Sequence, residues 1–166
     1  MAITRRILLI SVLFMCLTFV MPANVAACDA TYNSDFGVAI DHANYSDIDG
    51  DSVADDVLTI TRIFHNSEFT TIKKTIVFTT VQVPSGRIFH SILHVKGDYS
   101  TMEVTIEWYN IAKEAGWYDL NVFALLITSD GVIFLHAYVS FDPPEGGDPG
   151  PPLYPDAEIN ETVNLM

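Results

Sequence analysis

The stretch Met102-Glu103-Val104-Thr105-Ile106-Glu107-Trp108 decides the fold. Apolar residues recur at every second position with Glu, Thr and Glu between them, a period of two that belongs to an extended chain and not to a helix. Such a strand buries one face and wets the other. Working outward, the same alternation holds Phe36, Val38 and Ile40 against Gly37, Ala39 and Asp41, and it returns with Leu58, Ile60 and Phe64. Thr71 to Val83 is rich in β-branched residues and ends at the turn signal Pro84-Ser85-Gly86. Phe89, Leu93 and Val95 share a face in Arg87 to Val95, and Gly97-Asp98 turns the chain again. Leu120, Val122, Ala124 and Leu126 lead to the hairpin turn Ser129-Asp130-Gly131, and Ile133, Leu135, Ala137, Val139 and Phe141 complete the series. About seven strands with turns roughly every ten residues specify an all-β, antiparallel sandwich. Only Asn110 to Ala115 is expected to be helical, as one turn stopped by Gly116.

The N-terminal residues have a different character. Arg5-Arg6 precede an apolar run from Ile7 to Val20, broken only by Ser11 and Thr18. Pro22 then interrupts the helix, and Val25-Ala26-Ala27 offers small residues to a peptidase, so residues 1–27 read as a secretory signal. The run of about 15 residues is short of the roughly 20 that span a bilayer. Cys16 lies inside the signal and Cys28 directly follows it, which leaves the exported chain without an internal disulfide. Val25-Ala26-Ala27-Cys28 also resembles a bacterial or archaeal lipobox, which implies a lipid on Cys28. The stretch Met21 to Ala27 is longer than lipoboxes usually allow, and simple cleavage after Ala27 is the preferred expectation.

Residues 28–35 read as a linker, 36–141 as the sandwich, and 142–166 as a tail. Asp142 to Pro152 holds five prolines and three glycines, and Leu153 to Met166 is acidic and aperiodic, so no fixed structure is expected there. The chain carries 8 Lys and Arg against 21 Asp and Glu, a net charge of −13. Because Arg5 and Arg6 leave with the signal, residues 28–166 carry a net −15. That balance repels nucleic-acid backbones and anionic lipid, and it attracts divalent cations. Contact with a membrane is expected only through a lipid on Cys28.

One loop concentrates this charge. Asp47-Ile48-Asp49-Gly50-Asp51-Ser52-Val53-Ala54-Asp55-Asp56 places carboxylates at alternate positions around Gly50, which permits a tight curl. Calcium takes six to eight hard oxygen ligands, and Asp47, Asp49, Asp51 and Asp55 with the Val53 carbonyl and water would supply them. The EF-hand pattern does not fit, because Ser52 stands where its glycine belongs and Leu58 where its final glutamate belongs. The spacing instead resembles the calcium-binding hairpin loops of FG-GAP repeats and, more loosely, those of dockerins and thrombospondin type 3 repeats. That resemblance implies an ion held by Asp47, Asp49, Asp51 and Asp55 between strands Phe36–Asp41 and Val57–Phe64. It covers the loop and not the fold, since the repeats of a propeller are absent. The competing reading is a solvated acidic turn without metal.

Asn110 to Val122, with Ala115-Gly116-Trp117-Tyr118 followed by alternating apolar residues, resembles the approach to the sixth strand of immunoglobulin-like and PKD-like domains. The resemblance implies an immunoglobulin-like sandwich in which Tyr118 is a corner tyrosine bonded back to the turn.

Catalysis is not expected. No Gly-x-Ser-x-Gly elbow is present, and Glu103 and Glu107 read as the wet face of a strand. His90 and His94 would stand about 13 Å apart on a strand, too far for one ion. His42, His65 and His136 have no ligand partner at useful spacing. Tyr109, Trp117 and Tyr138 are candidate contact aromatics, and Trp108 is a candidate core residue. Asn44-Tyr45-Ser46 and Asn160-Glu161-Thr162 are glycosylation sequons, which suit a surface position. The expected function is therefore that of a secreted or surface-tethered, calcium-stabilised module for adhesion or cell-surface protein interaction. The alternative is a carbohydrate-binding module using exposed aromatics, with a glycan as partner.

Overall fold

The computed structural model describes residues 35–141 and 157–166. The expected signal over 1–27, Cys28, and the proline–glycine stretch after Phe141 lie outside the described residues. The described chain forms eight antiparallel strands: β1 (Phe36–Ser46), β2 (Asp56–His65), β3 (Ile72–Gln82), β4 (Ile88–Lys96), β5 (Thr101–Tyr109), β6 (Tyr118–Thr128), β7 (Val132–Phe141) and β8 (Glu158–Leu165). They make two four-stranded sheets, ordered β1-β2-β5-β8 and β4-β3-β6-β7. The all-β antiparallel sandwich expected from the alternation is present, with one strand more than the pattern announces.

Strand β5 behaves as its sequence dictates. Met102, Val104, Ile106 and Trp108 are buried, and the residues between them stay partly exposed. Val57 and Ile63 of β2 join them from the same sheet, facing Val77, Val81, Leu120, Val122, Ala124, Leu126 and Leu135 of the other. Each large side chain buried in this layer contributes about 1.5–3 kcal/mol. The Trp108 indole N–H donates to the Thr59 hydroxyl at 3.1 Å, and that hydroxyl donates to the Ile106 carbonyl at 3.3 Å. The one polar atom of this core tryptophan is thereby satisfied.

The phase of β2 is the reverse of the one expected: Val57, Thr59, Thr61 and Ile63 are buried, while Leu58, Ile60 and Phe64 share the outer side with Glu107, Thr105 and Thr101 of β5. Three further expectations change. β1 runs on to Ser46 instead of stopping at Asp41, because a register shift between Ile40 and His42 breaks the period of two while pairing with β2 continues. Asn110 to Ala115 is not helical. The Asn110 N–H donates to the Asp56 carboxylate at 2.8 Å and the Ala112 N–H to the Asp55 carbonyl at 2.7 Å. These cross-links take the amides that a helical turn would use.

The third change is β8. The tail expected at 142–166 is not structureless throughout, since Glu158–Leu165 pairs along β5 from Tyr109 to Met102. Its alternation is hidden by Glu161, which stands between Ile159 and Val163 on the inward side. The Ser91 hydroxyl of β4 donates to the Glu161 carboxylate, so this polar residue is held across the gap between the sheets. In the constant-type immunoglobulin arrangement the fourth strand lies beside the fifth. Here β4 pairs with β3, and β8 occupies the edge of β5.

Tyr118 closes the β5–β6 connection as a corner. Its ring is fully buried, and its hydroxyl accepts from the Glu114 N–H and donates to the Glu114 carbonyl, both at 2.9 Å. Burial pushes this phenol up to about 12, and it does the same to Tyr99, whose hydroxyl bonds Thr75 at 2.6 Å. Both phenols favour folding while neutral, so their contribution is intact below the ordinary value of 10.0 and is lost as pH rises toward about 12. Tyr118→Phe should cost about 1–3 kcal/mol at neutral pH by stranding the two backbone groups of Glu114. It should also remove its share of the alkaline loss, which parallel tyrosinate absorbance and circular dichroism titrations measure.

Candidate functional site

The β1–β2 hairpin presents the acidic loop at one end of the sandwich. Two residues with positive φ, Gly50 at 81° and Ser52 at 75°, fold it back on itself. The strain at Ser52 is offset by local bonds from amides to carboxylates. Asp47 accepts from the Gly50 N–H at 2.7 Å and the Ser52 N–H at 3.1 Å. Asp49 accepts from Asp51 N–H at 3.0 Å, and Asp51 accepts from Val53 N–H at 2.7 Å.

Beneath this exposed curl lies Asp56, which is fully buried. One of its oxygens accepts from the Ile48 and Asp49 N–H groups at 2.7 and 3.1 Å, and the other accepts from Asn110. A single carboxylate thus ties the loop, the start of β2 and the β5–β6 connection together. Ligand atoms of Asp47, Asp49 and Asp56 lie within 4.8 Å of one another. Oxygens bound to one calcium at 2.3–2.6 Å from the ion are separated by no more than about 5 Å, so the triad has a compatible span. The donor set is all hard oxygen. A carboxylate has about four lone-pair sites, so each member keeps capacity beyond the amides it accepts.

The expected set Asp47, Asp49, Asp51, Val53 and Asp55 is therefore realised only in part. Asp47 and Asp49 converge, whereas Asp51 and Asp55 stand outside the triad and Asp56 takes their place. Asp55 and Asp56 are neighbours entering an extended strand, so their side chains leave on opposite sides. Asp55 turns to Lys113, 3.6 Å away, and is buried enough that loss of solvent raises its carboxyl above the ordinary range. One of its oxygens accepts no hydrogen bond among the described residues. The side chain of Val53 is exposed, and its N–H belongs to Asp51.

The candidate aromatics do not form one row. Tyr109 ends β5 in one sheet and bonds Glu107 at 2.6 Å, while Tyr138 lies on β7 of the other sheet and bonds Asp119 at 2.7 Å. Trp117 is 63% exposed in the connection before β6. His90 and His94 point outward from β4 as strand residues.

The outer faces of the two sheets differ in where their charge lies. That of β1-β2-β5-β8 carries Arg62 paired with Asp41 at 2.7 Å, Glu103, Glu107, Asn160 and Asn164 together with Leu58, Ile60 and Phe64. That of β4-β3-β6-β7 has an apolar and aromatic band across its middle, with lysines at one end and polar residues at the other. Register aligns His94, Ile76, Leu125 and Phe134 in one row, and Ile92, Phe78, Phe123 and His136 in the next. Ile88, Ile92, Val132 and Phe134 are 49–64% exposed. The rings stack on one another across the strands, Phe78 on Phe123 at 6.2 Å and Phe123 on His136 at 4.4 Å and 12°. The signal for this face is in the sequence. From Val122 to Ile127 every position is apolar, the mark of a strand covered on both sides.

No protein-family model matches the chain, and no curated protein or solved structure matches it.

Asp56→Ala should lower stability by about 2–3 kcal/mol without any metal present, because it removes a buried carboxylate that accepts three part-buried amides. Asp51→Ala, which removes one exposed bond, should stay within about 1 kcal/mol. Urea unfolding of both variants in chelator separates the two outcomes.

Proposed function

We propose that this chain is a binding module of the cell exterior, working in adhesion or cell-surface protein interaction through the outer face of β4-β3-β6-β7. The observation that carries this reading is the apolar band of that face. Ile88, Ile92, Val132 and Phe134 of this face are 49–64% exposed, and clustered exposed apolar residues serve contact with other molecules. The stacking of its rings favours protein over sugar. A pyranose stacks on a ring whose face is turned to solvent, whereas Phe78, Phe123 and His136 turn their faces toward each other. Export is supported by the Arg5-Arg6, Ile7 to Val20 and Val25-Ala26-Ala27 pattern. Beads coated with the protein should attach to cells of its source and lose attachment on combined Ile92→Lys and Phe134→Lys. Attachment that survives this pair but is abolished by free glycan would overturn the reading in favour of carbohydrate binding.

Calcium is the proposed occupant of the loop, held by Asp47, Asp49 and Asp56. Outside cells its millimolar concentration fills even a site of about 10⁻⁴ M. Binding only to the folded state then stabilises the domain by mass action. Calcium should raise the melting temperature, and Asp47→Ala with Asp49→Ala should abolish that rise. Asp55→Asn should leave it in place. Equal melting of the unaltered protein in calcium and in chelator would remove the metal from the account.

A further inference from the structure

We infer that Asn44 and Asn160 both carry N-linked glycans, which stand at opposite edges of the β1-β2-β5-β8 sheet and shield the aliphatic side chains between them on its outer face. This rests on reading the chain as exported, because such sites are used on secreted proteins. Asn44-Tyr45-Ser46 and Asn160-Glu161-Thr162 fit the acceptor pattern, with no proline at the middle position. Tripeptides of this kind arise easily by chance; their placement in the fold is what carries weight.

The two asparagines lie in one row. Asn44 of β1 pairs with Leu58 of β2, Leu58 with Glu107 of β5, and Glu107 with Asn160 of β8. The next row runs His42–Ile60–Thr105–Thr162 and ends on the hydroxyl residue of the second sequon. β1 and β8 are the outermost strands of this sheet, so among the described residues neither sequon is enclosed between two neighbours. Both asparagines are exposed. Residues two apart in a strand share a face, which sets Ser46 on the side of Asn44 and Thr162 on that of Asn160. The middle residues turn the other way. Tyr45 packs against the core, and Glu161 takes the Ser91 hydroxyl across the gap between the sheets. The groups that define each acceptor thus face outward, three strand spacings or about 14 Å apart.

The amide groups suit the bond. His42 Nε2 donates to Oδ1 of Asn44 at 2.8 Å, a contact that orients the amide without engaging its nitrogen. Asn160 donates from Nδ2 to the Glu107 carboxylate at 2.8 Å, which uses one of the two hydrogens on that nitrogen. Transfer from a polyprenyl diphosphate-linked oligosaccharide replaces a single hydrogen. An Nδ2–H bond breaks, Nδ2 bonds to C1 of the first sugar, and the C1–O bond to the diphosphate breaks. The displaced diphosphate takes the electron pair, and the proton leaves to solvent. The substituted amide keeps its oxygen and one N–H, so both contacts survive the modification.

The reversed phase of β2 gives the glycans something to shield. Thr59 and Thr61 are buried, while the larger aliphatic residues Leu58 and Ile60 lie outward and are partly exposed. Leu58 and Ile60 fall in the two rows that the sequons bracket. A bulky, solubilising chain rooted at each edge stands over these side chains and keeps other proteins from them. No third sequon occurs in the chain, so none lies on β4-β3-β6-β7. Modification is thereby confined to one sheet, on the side of the sandwich away from the proposed contact face.

Intact-mass and peptide mass spectrometry of the protein recovered from its source cells and their medium tests this. The expected mass exceeds that of residues 28–166 by two glycans, one on the peptide holding Asn44 and one on that holding Asn160. Asn44→Gln and Asn160→Gln should each remove one. Ser46→Ala and Thr162→Ala should do the same, whereas Thr162→Ser should keep the second glycan, a demand for a hydroxyl that folding alone does not make. In a Cys28→Ser background, Leu58→Cys should react with a maleimide several-fold faster when both asparagines are replaced by Gln than when both are intact. Ile92→Cys, on the other sheet, should react at one rate in both. An exported chain of bare polypeptide mass overturns glycosylation and leaves export standing, whereas a chain that retains residues 1–27 overturns both. A glycan on one asparagine alone, or only at other residues, overturns the paired placement. Equal maleimide rates at Leu58→Cys overturn the shielding.

Discussion

The arrangement at one end of the sandwich depends on a single buried carboxylate. Asp56 accepts three backbone amides, from Ile48, Asp49 and Asn110, and these belong to two segments distant in sequence. A hydrogen bond to a charged acceptor contributes about 1.5–3 kcal/mol, and Asp56 concentrates three at one point. It fixes the curl of the acidic loop from below and sets the path of the β5–β6 connection from the side. That path in turn brings Glu114 beneath the Tyr118 hydroxyl and places its carboxylate on Ser85, whose N–H and hydroxyl donate at 2.5 and 2.6 Å. The turn after β3, the loop after β1 and the corner before β6 are thus one hydrogen-bonded assembly, in a chain whose described core contains no disulfide.

The fold was legible where hydropathy and burial share one phase, and in β2 they do not: Thr59 and Thr61 are buried while Leu58, Ile60 and Phe64 face outward. β5 alternates cleanly because one face meets the core and the other meets water, and its reading holds residue by residue. β8 was opaque because it is an edge strand whose inward glutamate is satisfied by Ser91, so hydropathy alone carries no period. The loop was half legible. Asp47 and Asp49 lie where their spacing puts them, but the third carboxylate is Asp56, since extended geometry sends Asp55 to the opposite side. Loop spacing contains no information about where the following strand begins, and that boundary decides which of two adjacent aspartates reaches the site. Tyr118 was legible because a corner is a local device, made of residues four apart.

One sheet sets Leu58, Ile60 and Phe64 among charged and amide side chains on its outer face, and the other gathers Ile76, Phe78, Phe123 and Leu125 into a central band. The acidic loop sits at one end of the sandwich and not on that face. The loop and the face share no residue, so substitutions in one leave the side chains of the other in place.

The position of β8 also bears on the order in which the sandwich is assembled. Strands β1 to β7 are joined by short turns or compact loops, whereas β8 pairs with β5 only after the chain has passed through β6, β7 and a proline-rich stretch. Closing so long a loop costs more chain entropy than any neighbouring hairpin, and the strand gained is mostly exposed. On these grounds the two sheets close around Trp108 first, and the amides of β5 are covered last. In that interval β5 offers an open row of donors and acceptors to any extended chain that reaches it, including the β8 of a neighbouring molecule.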